Sequence, residues 1–256
     1  MTKKSKYIDL SARLSALADM VTPGYRLADV GCDHAHLPIR LCQEDRIPSA
    51  IAMDVNEGPL KRAMENIEEA GLSDRIEIRL SNGLERLQAG EADCVVIAGM
   101  GGQLITEILK KKPALIKGPS AIKELVLGPH SEPEKVRSLL YSCGYRIVDE
   151  NFIEEDGKYY PVIKAQRKVC AIEENSIEGA VQPDPVELAF GPVLLERKNP
   201  VLLRYLLHQR KQILTIEDHL NHQNTENAGR RLVSLKEEEQ LVAEALERIQ
   251  SGKENA

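Results

Sequence analysis

Tryptophan is absent and phenylalanine occurs only twice, so the 42% of residues that are hydrophobic must build a core almost wholly from aliphatic side chains. No apolar run approaches the roughly 20 residues that a membrane-crossing helix needs. The lysines of MTKKSKYIDLSARL are followed by no apolar stretch of the kind a secretion signal carries, and a cytoplasmic protein is expected. The five cysteines, Cys32, Cys42, Cys94, Cys143 and Cys170, contain no Cys-x-x-Cys pair. That argues against both a disulfide framework and a zinc knuckle, and leaves small core residues. A net charge of −6 argues against a uniformly basic nucleic-acid binder, although local basic patches remain open to it. The length of 256 residues allows one large domain or two smaller ones.

What is present has a clear order. From about residue 26 to residue 167 short apolar runs alternate with helical patterns, the signature of βαβ units and a largely parallel sheet. The runs RLADVG, SAIAMDV, IEIRL, ADCVVIAG and IKELVLG read as strands. Helices are expected to start near Ala35, Glu57, Gly101 and Glu132, with only a short piece after Asn82. The stretch YRIVDENFIEEDGKYYPVIKAQRK reads as two strands joined through Asp156-Gly157, a strong hairpin signal that adds antiparallel strands. Pro183, Pro185 and Pro192 then punctuate what reads as a linker. Beyond it Leu202, Leu206, Ile213, Ile216 and Leu220 fall at helical spacing, as do Leu235, Val242, Leu246 and Ile249, with a polar QNTENAG turn between the runs. This predicts an antiparallel, coiled-coil-like helical hairpin. The division expected is an α/β domain over residues 1–168 and a linker with helical hairpin over 169–256.

The first candidate site is the turn in LADVGCDHAHLP, residues 27–38, which follows the first strand and opens the first helix of the sheet. In an open parallel sheet ligands bind at that end of the strands. A dinucleotide would call for Gly-x-Gly-x-x-Gly, because a pyrophosphate must approach bare backbone N–H groups. Here stand Asp29, Gly31 and Asp33, with Asp54 closing the second strand. Carboxylates in these places repel a pyrophosphate and suit a ligand with an ammonium, a sulfonium and a ribose diol, which describes S-adenosylmethionine. Asp54 is placed to take both ribose hydroxyls, and Ser81-Asn82-Gly83 at the end of the third strand could address the adenine edge. Singly, each is an ordinary turn residue; together they mark one rim of the sheet.

The acidic residue and glycine of ADVG, the strand ending in Asp54 and the fourth strand ending in AGMGG resemble the class I methyltransferases. More narrowly, the combination of LSARL, VGCDHAHLP, MDVNEGPL, SNGL, VVIAGMGG and NFIEEDGKYYPVIKA resembles the bacterial tRNA (adenine-22-N1)-methyltransferase family over nearly the whole chain. The resemblance implies a seven-stranded Rossmann-like sheet whose last strand is inserted antiparallel, followed by a helical hairpin. It also implies S-adenosylmethionine at Gly31, His34, Asp54, Asn82, Gly83, Ala98 and Gly99; Asp29 and Val55 complete the expected cofactor set. His36 stands where family members often carry an aromatic residue.

The residues themselves bear on the chemistry. Ala98-Gly99-Met100-Gly101-Gly102 has neither the amide nor the prolines that accompany methylation of an exocyclic amine, and no cysteine follows a proline as a cytosine C5 methyltransferase would need. Adenine N1 carries its lone pair at neutral pH and needs positioning more than a base. Gly99, Met100 and Gly101 suit that role by letting a flat base approach the backbone. Asp33 is a candidate to stabilise the cationic product ring, or else a cap or left-handed turn residue. His34 and His36, two apart, are not a helical ligand pair, and no metal is expected. His130, after Gly128-Pro129, could face substrate or cap a loop. Arg197, Lys198, Arg204, Arg210 and Lys211, assigned to the first hairpin helix, are candidate tRNA phosphate contacts, as are Arg13 and Lys3, Lys4 and Lys6 near the N-terminus. A solvated helix face is the alternative. The favoured reading is a tRNA adenine N1-methyltransferase acting as a monomer on tRNA without metal. A methyltransferase for another RNA base or a small molecule, and a non-catalytic RNA-binding or oligomerisation module, are the alternatives.

Overall fold

The computed structural model describes residues 7–167, 184–222 and 226–251. The chain divides into two compact units, Met1–Ser176 and Ile177–Ala256. In the first, the elements are α1 (Ala12–Met20), β1 (Leu27–Val30), α2 (His36–Gln43), β2 (Ala50–Asp54), α3 (Glu57–Glu69), β3 (Ile76–Leu80), β4 (Cys94–Met100), α4 (Gly102–Lys110), α5 (Pro113–Lys117), β5 (Glu124–Pro129), α6 (Pro133–Ser142), β6 (Tyr145–Glu155) and β7 (Lys158–Arg167).

The seven strands form one sheet in the order β3-β2-β1-β4-β5-β7-β6. The strands β1 to β5 pair in parallel, and β7 lies antiparallel to both neighbours, Leu125 opposite Ala165 on one side and Ile153 opposite Tyr160 on the other. Every residue of β1, β2 and β5 is buried, as expected of parallel strands covered on both faces. The β6–β7 connection is as tight as a hairpin can be: Asp156 at φ 51° and Gly157 at φ 71° are both left-handed, which a type I′ turn requires. A buried ion pair, Arg137 Nε to Glu150 Oε1 at 2.8 Å, ties α6 to β6. Cys32, Cys42 and Cys94 are buried. Burial pushes the Cys42 thiol up to about 11 and the Cys32 and Cys94 thiols higher, which leaves them inert core residues. Cys170 lies outside the described residues.

The second unit contains α7 (Pro185–Phe190), α8 (Pro192–Glu196), α9 (Pro200–Asn221) and α10 (Glu226–Gln250). The sequence reading of a proline-punctuated linker is corrected here. Pro185, Pro192 and Pro200 each open a helix, where the missing N–H costs nothing and the fixed φ is already helical. Asp184 caps α7 through Val186 N at 2.8 Å, and Asn199 caps α9 through Val201 N at 2.9 Å and Leu202 N at 3.1 Å. Pro183 lies outside the described residues. The hairpin α9–α10 buries Leu202, Leu206 and Ile213 with Leu235, Val242, Leu246 and Ile249. Two details differ from the expectation: Ile216 is exposed, and Glu226 to Gly229 belong to α10 rather than to the turn. Arg248 and Asp184, 2.5 Å apart, fasten the end of α10 to the start of α7.

Candidate active site

The carboxyl ends of β3, β2, β1, β4 and β5 open onto one cleft of about 510 Å³, within the size range of small-molecule sites. Asp29, Gly31, Asp33, His34, Asp54, Val55, Asn82, Gly83, Ala98, Gly99 and Met100 all line it. Gly101 does not, though it opens α4 directly behind the ledge.

The opening turn is not a phosphate cradle. Gly31 is left-handed at φ 75°, but its N–H and that of Cys32 both donate to the carbonyl of Met53, at 2.8 and 3.0 Å. Asp33 and Ala35 are also left-handed, at φ 49° and 57°, and Ala35 is the N-cap of α2 with no side-chain cap. Of the two ordinary readings of Asp33, the left-handed turn therefore holds and the helix cap does not. Its side chain is 68% exposed and stands 3.6 Å from His34 Nε2. His34 and His36 stack at 5.3 Å between ring centroids. Partial burial, then His34, lowers the His36 pKa.

The two buried carboxylates lie deeper. Asp54 Oδ1 accepts the N–H of Asn56 at 2.9 Å, which fixes it at the end of β2. Asp29 is buried in β1, and its pKa is pushed up to about 7, first by burial and then by the charge of Asp54. Asn82 is exposed on the rim with its amide nitrogen on Glu85 Oε1 at 2.8 Å. A Cβ at Gly83, left-handed at φ 59°, would come within 2.8 Å of Ile108.

On the far side of β1, β4 ends in an irregularity between Ala98 and Met100, with Gly99 at φ 78°. This bulge re-aims the strand end. The methyl of Met100 lies over Gly31, 2.5 Å from where a Cβ would stand. The carbonyl of Met100 accepts the N–H of His130, and Gly102 N donates to Ser131 O, each at 2.8 Å. A Cβ at Gly102 would sit 2.3 Å from the Glu132 carbonyl oxygen, so only glycine lets the two loops meet.

Arg13 is found in the cleft wall, its Nη1 2.6 Å from His130 Nε2. Its Nε is buried and finds no partner among the described residues, an arrangement that costs about 1–3 kcal/mol. Arg204, Arg210 and Lys211 are exposed along α9. Arg197 and Lys198 are exposed too, but not on that helix: Arg197 ends α8 and Lys198, at φ 52°, makes the turn before the Asn199 cap. Lys3, Lys4 and Lys6 lie outside the described residues. The sequence reading missed Leu14 and Leu17 of α1 and Leu104 and Ile108 of α4, which supply apolar wall; only helical periodicity could have marked them. Among the described residues no group of three or more His, Cys, Asp or Glu is arranged to hold a metal ion.

A parallel sheet with β7 inserted antiparallel and carboxylates at the ends of β1 and β2 defines a Rossmann-like methyltransferase, and the methyltransferase domain family matches residues 10–163. The tRNA (adenine(22)-N(1))-methyltransferase of Bacillus subtilis (strain 168) is 31% identical over 243 residues, 94% of this chain and 98% of the relative. The chain belongs to that family. Among solved structures, the B. subtilis m1A22 tRNA methyltransferase superposes with a TM-score of 0.78 at 30% identity, covering 93% of this chain and 99% of the other. The M. capricolum relative, solved with the cofactor product S-adenosylhomocysteine, gives 0.76 at 29% identity over 94% of this chain and 99% of the other.

Proposed function

We propose that this protein transfers a methyl group from S-adenosylmethionine to N1 of adenine 22 in tRNA. The observation that carries this is the cleft's two-sided build, with carboxylates at the ends of β1 and β2 on one side and the bare glycine ledge of β4 on the other, in a chain of this family. The cofactor fits the residues present. The turn N–H groups that a phosphate would need are already bonded to Met53, while Asp54 suits a ribose diol, Asp29 the ammonium side, and Asn82 and Gly83 the adenine rim. Bound there, S-adenosylmethionine supplies an electrophilic methyl on a sulfonium.

The rest falls to the chain. Adenine N1 needs no base to present its lone pair, so the site's task is orientation, which in favourable systems lowers a barrier by ~7–11 kcal/mol. Gly99 and Met100 leave the backbone open to a flat ring, with Gly101 opening α4 behind them, and the exposed carboxylate of Asp33 faces the cleft in which that ring becomes cationic. Residues 1–168 make up this catalytic domain. The hairpin domain, residues 169–256, holds the tRNA body through Arg204, Arg210 and Lys211, with Arg197 and Lys198 at its base. Among the described residues no helix is long and apolar enough to cross a membrane, which accords with work on tRNA in the cytoplasm.

The test is to incubate the protein with labelled S-adenosylmethionine and unmodified bacterial tRNA, digest the RNA and identify the labelled nucleoside. N1-methyladenosine at position 22, lost when that adenine is replaced, is the expected product. Label in another nucleoside, or none, overturns the reading.

A further inference from the structure

Along the rim, in sheet order, Asn82, Asp54 and Gly31 take the ends of β3, β2 and β1, and all three belong to the cofactor side. The cleft continues past them to β4, β5 and α1. There Arg13 of α1 and His130, just beyond β5, meet across 117 residues of sequence. A guanidinium has only donors, so at 2.6 Å His130 Nε2 must be the acceptor. The imidazole is then neutral, with its proton on Nδ1. Tyr160 of β7, the next strand along the rim, meets the imidazole edge-on at 5.2 Å, and its ring lies 5.0 Å from the Arg13 guanidinium carbon. The backbone N–H of His130 donates to Met100 O, which couples the ring to the glycine ledge. A second observation points to a ligand: Arg13 Nε is the buried side-chain nitrogen left without a partner among the described residues.

We propose that His130 is the contact that seats the target adenine. It donates a hydrogen bond from Nδ1 to a ring nitrogen other than N1, with Arg13 and Tyr160 as positioning residues. This rests on the adenine N1 reading above. With N1 reserved for the methyl group, N3 and N7 are the acceptors adenine still offers, and a neutral His130 protonated on Nδ1 is a donor that suits them. That donor has to be neutral, because the ring gains positive charge during transfer and an imidazolium would oppose it. The surroundings of His130 favour neutrality: partial burial first, then the charges of Arg13 from α1 and Lys158 from β7, hold its pKa below the ordinary value, while Tyr160 meets it edge-on and Glu155 at the end of β6 is held on the backbone N–H of Arg13.

The variants His130→Asn, His130→Gln and His130→Ala separate donor position from bulk, since an Asn amide nitrogen mimics Nδ1 and a Gln amide nitrogen mimics Nε2. Single-turnover methylation of unmodified tRNA is measured for each, with adenosylhomocysteine affinity by calorimetry. His130→Ala and His130→Gln should lower the transfer rate by about 10- to 100-fold, with KM for tRNA within about 3-fold of wild type. His130→Asn should run about 10-fold faster than His130→Gln. Adenosylhomocysteine affinity should stay within about 2-fold throughout. Arg13→Ala should shift the acid limb of the pH–rate profile to higher pH, because the charge of Arg13 no longer opposes protonation of His130 while partial burial and Lys158 still do. Wild-type rates in His130→Ala and His130→Gln, an Asn variant no faster than Gln, or cofactor affinity falling with the rate would each refute the seat while leaving the methyltransferase reading intact. Failure of the wild-type protein to methylate tRNA adenine would overturn both.

Discussion

Replacing Asp29 with Asn should make the protein more stable, and by an amount that depends on pH in a specified way. The carboxyl is 6% exposed inside β1, and burial, helped by the charge of Asp54, raises its pKa from 3.8 to about 7. Because the folded value is the higher one, between those two pH values the folded protein keeps a proton that the unfolded chain has lost. Stability from this group is therefore intact below pH 3.8, declines as the pH rises, and is fully lost above about 7. A difference of about 3 units at about 1.36 kcal/mol each amounts to ~4 kcal/mol. Asn cannot ionise, so the stability of Asp29→Asn minus that of wild type should grow by that order across this range and then level off. Urea unfolding of both proteins at half-unit steps from about pH 4 to 8.5 measures it, and the subtraction cancels the histidines and the other carboxylates. A difference that does not vary with pH would show that Asp29 is ionised in the folded protein, and the account of this end of β1 would be wrong.

Three further outcomes are expected. Asp54→Ala should weaken adenosylhomocysteine binding by ~1.5–3 kcal/mol, read by calorimetry, because a charged acceptor is lost; unchanged affinity would remove Asp54 from the cofactor site. Gly102→Ala places a methyl against the Glu132 and Ser131 carbonyls and should destabilise the protein by about 1–3 kcal/mol; thermal unfolding at the wild-type temperature would mean that the loop yields freely. Arg204→Glu with Arg210→Glu should lower tRNA affinity and flatten the plot of log affinity against log salt by roughly 2. A parallel plot would make α9 a structural helix only.

The strands at the centre of the sheet were legible because burial on both faces leaves unbroken apolar runs, as in residues 50–53 of β2, and the β6–β7 hairpin was legible because Asp156-Gly157 meets a backbone requirement few dipeptides satisfy. The polar residues of the rim were legible for a related reason: a strand end is a fixed address, and the carboxylates Asp29 and Asp54 and the amide Asn82 each stand in or beside one. Proline misled, since its chemistry is the same whether it interrupts a chain or opens a helix, and only the Asp184 and Asn199 caps beside Pro185 and Pro200 tell the two apart. The short helix α5 carried too few residues to show a period. Arg13 read as a phosphate contact because a basic residue near the N-terminus says nothing of a histidine 117 positions away. In the same way, nothing local to Gly31 announces the methyl of Met100 that covers it.

The place of β7 in the sheet has a consequence for the order in which the protein can be made. Residues up to Pro129 complete five parallel strands, yet β5 then ends the sheet with one side of its backbone unpaired. The strand that covers it, Lys158–Arg167, leaves the ribosome last of the seven and must enter between β5 and the already synthesised β6. During that interval the growing chain presents a strand that is apolar from Leu125 onward and has an open edge, the kind of surface on which nascent chains associate wrongly. The two-residue Asp156-Gly157 turn shortens the interval, because once β6 has emerged its partner follows with no slack and arrives already aligned.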